Sequence, residues 1–374
     1  MENQKQLGPV SVTVTTHPYI LYETVELLRA FANGMELKSL TREGPYCLTL
    51  EELQQIRDKV CGPLDPSDKW LRYFFENHPL LDDSKTSTCL ASCIAYSFFN
   101  NEMAAPDLRH QLDYVAAQWR ETRRGGYQIC SINRFSIAIE PAAAEEPVRL
   151  FEELRRLPIS SDFCMLLYET FSDLDFYADK LCRLISPAAA SLIEALQPCE
   201  QRCTALVQQW MDFFSDRSML NAFLRSRTGT EISETFEEMK IALRYFEPRL
   251  VVGGYSADER IVGMHVGIGV KPMLPPVREE VKIDLEQEFA AFKLLGDKGR
   301  RDTIRILSKG PLSMQDITNQ LGINSGTVFR NINSLFQSGL LRREVHGERF
   351  YYKANLAYIQ EIFDHMMAYF NEGI

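Results

Sequence analysis

Apolar residues recur every three or four positions along most of this chain, which is the period of amphipathic helices. Thr49 and Glu52 add a capping box, in which each side chain satisfies a backbone N–H group of the other residue at the start of a helix. The pattern therefore predicts a largely helical N-terminal part. The predicted helices span 19–32, 49–60, 66–76, 107–122, 147–157, 162–186, 188–216 and 231–245.

The period shortens to that of β-strands in three segments. Residues 10–14 alternate between apolar and polar, while 249–254 and 261–270 are rich in Val, Ile and Gly. We expect the last two segments to form a hairpin, with 10–14 beside it as a third strand. The predicted fold class is thus α+β and mostly helical, with a small antiparallel sheet in the N-terminal domain.

The strongest pattern lies in 311–353, where two short amphipathic helices are followed by two β-type segments. Gly322 ends the first helix and Asn324 caps the second. The apolar stripes of the two helices consist of Met314, Ile317 and Leu321 and of Val328, Ile332 and Leu335. Segments 340–345 and 349–353 then flank a His-Gly turn. Helix, turn, helix and hairpin is the layout of a winged helix-turn-helix, a fold that commonly places a helix in DNA.

Prolines mark the boundary in front of this part. Pro272, Pro275 and Pro276 stiffen the chain and disfavour regular structure. We therefore predict an N-terminal sensor or regulatory domain over 1–270 and a linker over 271–283. The winged helix would then occupy 284–374 and carry DNA binding and dimerisation.

The charge distribution fits this division. The chain has a net charge of -10, but 298–353 contains ten Lys and Arg against four Asp and Glu, a local balance of +6. The remainder therefore carries -16. An acidic body joined to a basic module limits non-specific adhesion to DNA while it preserves one cationic face.

Six short motifs in the C-terminal part resemble those of ArsR-type winged-helix repressors, over roughly 285–370. They are 292–300, Leu312-Ser313, Leu321-Gly322-Ile323, Thr327-Val328, Gly339-Leu340-Leu341 and Gly347-x-Arg349-x-Tyr351-Tyr352. The resemblance implies a homodimer whose subunits meet through the flanking helices, 285–295 and 356–370. It also implies repression that a ligand relieves.

The helix period assigns the residues that would meet DNA. With the apolar stripe inward, the opposite face of the second helix holds Ser325, Gly326, Phe329, Arg330 and Asn333. Arg330 is the predicted base reader, while Ser325 and Thr327 fit phosphate contacts. Phe329 would contact a thymine methyl group or pack sideways. The predicted hairpin contacts to phosphate or the minor groove come from Arg342, Arg343 and Arg349.

Metal or cofactor chemistry finds little support in the sequence. The helix before the recognition helix has neither Cys nor His, and the C-terminal helix offers only Asp364 and His365. We predict no cofactor and no metal. The nine cysteines leave two pairs at helical spacing, Cys89/Cys93 and Cys199/Cys203, for which a metal or redox role stays open.

These observations together predict a cytoplasmic, homodimeric regulator of transcription that is not an enzyme. No apolar run approaches a membrane span, and no secretory signal is visible, which favours reduced thiols. The regulator would bind a palindromic operator in double-stranded DNA, and its N-terminal domain would sense a small-molecule or peptide effector. The alternative is an interaction scaffold, or an enzyme, whose winged helix binds no DNA.

Overall fold

The computed structural model describes residues 10–81, 87–98, 107–125, 128–132, 135–138, 147–228, 230–232, 236–256, 260–274, 285–346 and 349–371. Its class is α+β and mostly helical with small sheets, as predicted. Within these residues, no helix combines the length and apolar character that a membrane crossing requires. We call 10–274 the N-terminal region and 285–371 the C-terminal region.

Helices dominate the N-terminal region. Thr49 Oγ1 accepts the N–H of Glu52, and Glu52 Oε2 accepts the N–H of Thr49, which confirms the predicted capping box. The α-helices described in this region are α1 (Ile20–Ala32), α2 (Leu50–Cys61), α3 (Lys69–Phe75), α4 (Leu90–Ala95), α5 (Leu108–Gly125), α6 (Pro147–Leu154), α7 (Ser161–Ser172), α8 (Leu174–Arg202), α9 (Thr204–Phe214) and α10 (Arg217–Thr228).

The predicted helix break near Pro187 is wrong. Helix α8 runs for 29 residues through both Pro187 and Pro198. Each proline removes one backbone hydrogen bond. The helix nevertheless buries an apolar face against α1, α2 and α5, and Leu181, Ile185 and Leu192 on that face are inaccessible to solvent. The packing of this face offsets the local cost of the prolines.

Short strands accompany these helices. In chain order they are β1 (Ser11–Thr15), β2 (His78–Pro79), β3 (Ser87–Thr88), β4 (Gln128–Ile132), β5 (Phe135–Ala138), β6 (Thr230–Ile232), β7 (Glu238–Arg244), β8 (Val251–Ser256) and β9 (Ile261–Gly267). The main sheet has the order β1-β7-β9-β8. Antiparallel pairing was predicted for the whole sheet, but it holds only for the β8–β9 hairpin. Strands β1 and β9 both run parallel to β7.

The predicted helix over 231–245 is also wrong, because β6 and β7 occupy this segment. Strand β7 lies between two other strands, and Met239, Ile241, Ala242 and Leu243 are all buried. A strand covered on both faces has a continuous apolar run. Such a run does not show the alternation that separates strand from helix.

All elements predicted for 311–353 are present in the C-terminal region. Its helices and strands are α11 (Leu285–Leu295), α12 (Lys298–Leu307), β10 (Leu312–Ser313), α13 (Met314–Leu321), α14 (Ser325–Gln337), β11 (Leu341–His346), β12 (Arg349–Ala354) and α15 (Leu356–Asn371). Strands β10, β12 and β11 pair antiparallel, and β6 from the N-terminal region adds a parallel strand at the β11 edge.

Two separate apolar cores underlie the two regions. The larger extends from Val10 to Val270, with Leu274 packed against it, and the smaller extends from Ala291 to Ile362. The described start of the predicted linker, 271–274, thus joins the N-terminal body, and 275–284 lie outside the described residues. Strand β6 crosses the predicted boundary, because it belongs to the first region in sequence and to the β11 sheet in space.

Candidate nucleic-acid interface

Local hydrogen bonds define the start of α13 and the turn between α13 and α14. Ser313 Oγ accepts the N–H of Asp316 at 3.2 Å, and Asp316 Oδ2 accepts the N–H of Ser313 at 3.1 Å. Helix α13 ends at Gly322, whose φ of 64° lies in the left-handed region that glycine tolerates best. The Oδ1 atom of Asn324 then accepts the N–H of Thr327 at 2.8 Å and starts α14. The sequence predicted both the glycine stop and the asparagine cap.

The inward face of α14 is the predicted one. Val328, Ile332 and Leu335 are buried in the smaller core. On the opposite face, Ser325 is exposed, and Thr327, Arg330 and Asn333 are half-buried. These positions suit contact with an extended ligand along the helix.

Two residues of that face lie differently from the prediction. Gly326 and Phe329 are buried, and Phe329 belongs to neither apolar core. Strand β5 of the N-terminal region lies beside α14. DNA contact by Gly326 and Phe329 stays a prediction, but neither residue is open to a ligand in this conformation.

Arg330 makes a contact that no local pattern predicts. Its Nη1 donates to Glu153 Oε2 at 2.8 Å, and its Nη2 donates to Thr327 Oγ1 at 3.1 Å. Glu153 lies on α6, 177 positions earlier in the chain. The side chains of Arg330 and Glu153 are 36% and 18% exposed. The predicted base reader is therefore engaged by an acidic residue of the N-terminal region.

The hairpin arginines have distinct surroundings. Arg342 is exposed, whereas Arg343 is half-buried between the rings of Phe336 and Phe350, with centroid distances of 4.8 and 4.6 Å. Desolvation lowers the pKa of Arg343, yet a guanidinium stays charged at neutral pH. Arg349 opens β12 opposite His346, and its side chain lies outside the described residues. Arg342 is thus the better-placed hairpin residue for phosphate.

Helices α11 and α15 flank this unit and pack on each other, with Phe292 and Phe363 in edge-to-face contact at 5.4 Å. Their outer sides are unusually apolar. The exposed large apolar residues on the two helices are Leu285, Phe289, Leu356, Phe363, Met367, Tyr369 and Phe370. Phe289 is 71% exposed. A concentration of exposed apolar residues on two packed helices typically marks an interaction surface.

A buried ionic network in the N-terminal region was not predicted. Arg244 Nε donates to Glu23 Oε1 at 2.6 Å, and both side chains are fully buried. Glu23 also accepts the N–H groups of Tyr245 and Phe246. Arg244 lies at the end of the apolar run of β7. A charged residue in such a run is the sequence signal that could have revealed the network.

Two further carboxylates, Glu26 and Glu247, lie at the periphery of this network. Tyr96 Oη lies 2.9 Å from Glu26 Oε1 and 3.1 Å from Glu247 Oε2, and Arg244 Nη2 donates to Tyr96 Oη at 3.0 Å. Burial and the negative charge of Glu247 raise the pKa of Glu26 to about 7, against the opposing effects of Arg29 and Arg244. His265 packs nearby against Tyr19 and Tyr22, and burial holds its pKa well below the usual range.

The described cysteines are free and buried. Burial raises the pKa of Cys61 to about 12 and that of Cys199 and Cys203 to about 11, so these groups are thiols at neutral pH. The part of the chain that the structure describes contains no group of three or more His, Cys, Asp or Glu side chains that could hold a metal ion. A role for either cysteine pair finds no support in this geometry.

Comparison with known proteins finds limited similarity. No protein-family model matches the chain. The transcriptional repressor SdpR of Bacillus subtilis (strain 168) is 26% identical over 82 residues, which is 22% of this chain and 91% of SdpR. A solved homodimeric winged helix-turn-helix DNA-binding domain comes from a possible ArsR-family transcriptional regulator of Mycobacterium bovis. It is 22% identical with a TM-score of 0.21, and the match covers 27% of this chain and 92% of that domain.

Proposed function

We propose that this protein is a cytoplasmic transcriptional regulator that binds double-stranded DNA through α14 and the β11–β12 hairpin. The supporting observation is a capped pair of helices, α13 and α14, followed by an antiparallel hairpin, in a segment with a charge of +6. Similarity to a repressor over 82 residues supports the same assignment. The C-terminal region would then be a winged helix-turn-helix and would carry no catalytic role.

We also propose a homodimer. The exposed apolar side of α11 and α15 fits a second copy of the same surface, because symmetric pairs of helices bury such faces efficiently. Two copies would present two α14 helices to a palindromic operator. The N-terminal region would respond to an effector and thereby change DNA affinity, and the DNA-bound protein would act as a repressor.

The test is selection of full-length protein against random duplexes at several salt concentrations. An enriched palindrome and a steep decrease in affinity with salt are expected. Arg330→Ala should lose about 1–3 kcal/mol of discrimination at one base pair, whereas Arg342→Ala should weaken all duplexes similarly and reduce the salt slope by about 1. Absence of enrichment at every salt concentration would favour the interaction scaffold.

The dimer has its own test in sedimentation. Phe289→Ser should convert the dimer to monomer, because the side chain is 71% exposed on the proposed interface. Phe176→Ser is the matched control, since Phe176 is 46% exposed on α8 in the N-terminal region. Equal sedimentation of Phe289→Ser and wild type would exclude α11 from the interface.

A further inference from the structure

The N-terminal region covers the surface that would meet DNA. We propose that the structure is an autoinhibited state, in which α6, β5 and β6 occupy the DNA-binding face of the same chain. The inference rests on the proposed function, since it concerns the control of that face. Three separate contacts support it, and each comes from a different element.

The first contact occupies the side chain of Arg330. Reading of guanine requires two N–H groups of one guanidinium. Here Nη1 donates to Glu153 and Nη2 donates to Thr327, so both terminal nitrogens are engaged within the protein. Arg156 also donates to Glu153, which holds the carboxylate in place on the other side. Glu153 thus occupies the position at Arg330 that a base edge or phosphate would take.

The second contact covers the helix surface. Strand β5 packs on α14, and it also contacts α6, the helix that carries Glu153. Phe329 is only 9% exposed although it lies outside both apolar cores. A recognition helix enters the major groove with this face. The neighbouring β5 therefore reduces the surface of α14 that is free to enter a groove.

The third contact restrains the hairpin. Strand β6 pairs in parallel with β11, with Thr230, Glu231 and Ile232 opposite Arg343, Glu344 and Val345. Strand β6 follows α10 closely, and α10 packs against β8 of the N-terminal sheet. Main-chain pairing consequently ties the edge of the hairpin to the N-terminal body. Entry of α14 and the hairpin into adjacent grooves would require this pairing to break.

The charges of the two parts favour the same closed arrangement. The chain outside 298–353 carries -16 and the segment itself +6, so the acidic body attracts the cationic face as DNA would. An intramolecular partner also has a high effective concentration. DNA binding therefore requires release of the C-terminal region, and release is the step that an effector could control.

A reversible disulfide tests the closed state directly. Adjacent strands lie roughly 4.8 Å apart, within the Cα separation of about 4.4–6.8 Å that disulfides span. Glu231→Cys combined with Glu344→Cys places cysteines at paired positions of β6 and β11. The oxidised full-length protein should bind random-sequence duplex at least about tenfold more weakly than the reduced protein, because the closed state is locked.

The single-cysteine variants under the same oxidant are the controls. Failure of the disulfide to form under oxidising conditions would contradict the β6–β11 pairing. Equal DNA affinity of the locked and reduced forms would overturn autoinhibition. If no form binds DNA at any salt concentration, the proposed function fails, and disulfide formation still reports separately on the contact.

Charge reversal at Glu153 tests the opposite change, in which the closed state is weakened and the C-terminal region is released. Glu153→Arg replaces an ion pair with repulsion and should tighten DNA binding up to roughly fivefold, in keeping with the modest strength of partly exposed pairs. It should also accelerate amide hydrogen exchange in α14 and β11, a readout that needs no DNA. Glu152→Gln on the exposed side of the same helix should change neither quantity. Unchanged exchange in Glu153→Arg would exclude this contact from the closed state.

Discussion

The two regions of this molecule differ in the charged side chains that they bury. The smaller core, between Ala291 and Ile362, consists of apolar side chains, and the arginines Arg330 and Arg342 lie at or near the surface. The larger core encloses Arg244, Glu23 and His265, each fully inaccessible to solvent. The C-terminal region also buries one carboxylate, Glu288, beside His365, but it presents Arg330 and Arg342 where a polyanion can meet them. The N-terminal region uses charge to join its own elements.

This difference has a thermodynamic consequence. Two desolvated ions are stable together only when each satisfies the other and the remaining hydrogen bonds are made. Glu23 fulfils this condition with Arg244 and the backbone N–H groups of Tyr245 and Phe246, which follow β7, although Nη1 of Arg244 makes no hydrogen bond within the described residues. The network therefore joins α1 to the main sheet, and its loss should affect the whole N-terminal region.

The largest expected effect follows from removal of Arg244. Arg244→Met should destabilise the protein by about 3–5 kcal/mol, because Glu23 is left as an uncompensated buried charge. Arg260→Ala is the matched control, since its pair with Glu237 is 53% and 68% exposed and should contribute below about 1 kcal/mol. Urea unfolding measures both values. Similar midpoints for the two variants would show that the network does not stabilise the fold.

A second prediction separates the two cores. Leu335→Ala should cost about 2–5 kcal/mol, since the side chain is fully buried in the smaller core. The three tryptophans, Trp70, Trp119 and Trp210, all lie in the N-terminal region, so their fluorescence follows only that region. We expect part of the circular dichroism signal to be lost at a lower urea concentration, while the midpoint of the fluorescence transition stays unchanged.

Leu181→Ala in the larger core provides the complementary control, because it should shift the fluorescence midpoint by a comparable amount. A fluorescence midpoint that decreases equally in Leu335→Ala would mean that the two cores unfold as one unit. The contacts of α14 and β11 with the N-terminal region would then couple the regions more strongly than their separate cores suggest.

Sequence reasoning succeeded where local chemistry decides the structure. Gly322 ends α13 because an L side chain is strained at φ of 64°, and Asn324 starts α14 through its own side chain. The capping box of Thr49 and Glu52 is equally local. Such signals need only neighbouring residues, so the helices and hairpin of 311–353 could be predicted one by one.

The predictions failed where contacts between residues distant in sequence determine the structure. Strand β7 has no strand-like alternation because both of its faces are covered, and its neighbour β1 lies far away in sequence. Arg330 lies on the face opposite the apolar stripe of α14, but its partner Glu153 is 177 positions earlier. Nothing near either residue indicates this pair. The covered state of the candidate site was therefore not predictable from local pattern.

A smaller effect is expected at the start of α14. Asn324→Ala removes the acceptor for the Thr327 N–H and should destabilise the C-terminal region by about 1 kcal/mol. The early part of the circular dichroism transition should shift while tryptophan fluorescence does not. Asn319→Ala on the exposed side of α13 is the control. An unshifted transition in Asn324→Ala would mean that the cap does not limit the stability of this helix.

The last prediction concerns the pH dependence of the N-terminal region. The pKa of Glu26 is raised to about 7 in the folded protein by burial and by Glu247, from an ordinary value of 4.5. Between these pH values the folded state binds the proton more tightly than the unfolded state, so stability decreases as pH rises from about 5 to about 7. Above that window the contribution of Glu26 is constant.

Glu26→Gln should remove this decrease, because the amide remains neutral at every pH. The variant should match wild type near pH 5 and exceed it near pH 8, as measured by urea midpoints across that range. Contributions that the two proteins share cancel in the difference between the two curves. Glu36→Gln, at an exposed position, should leave the wild-type profile unchanged. Parallel profiles for Glu26→Gln and wild type would show that the buried network keeps Glu26 ionised across this pH range.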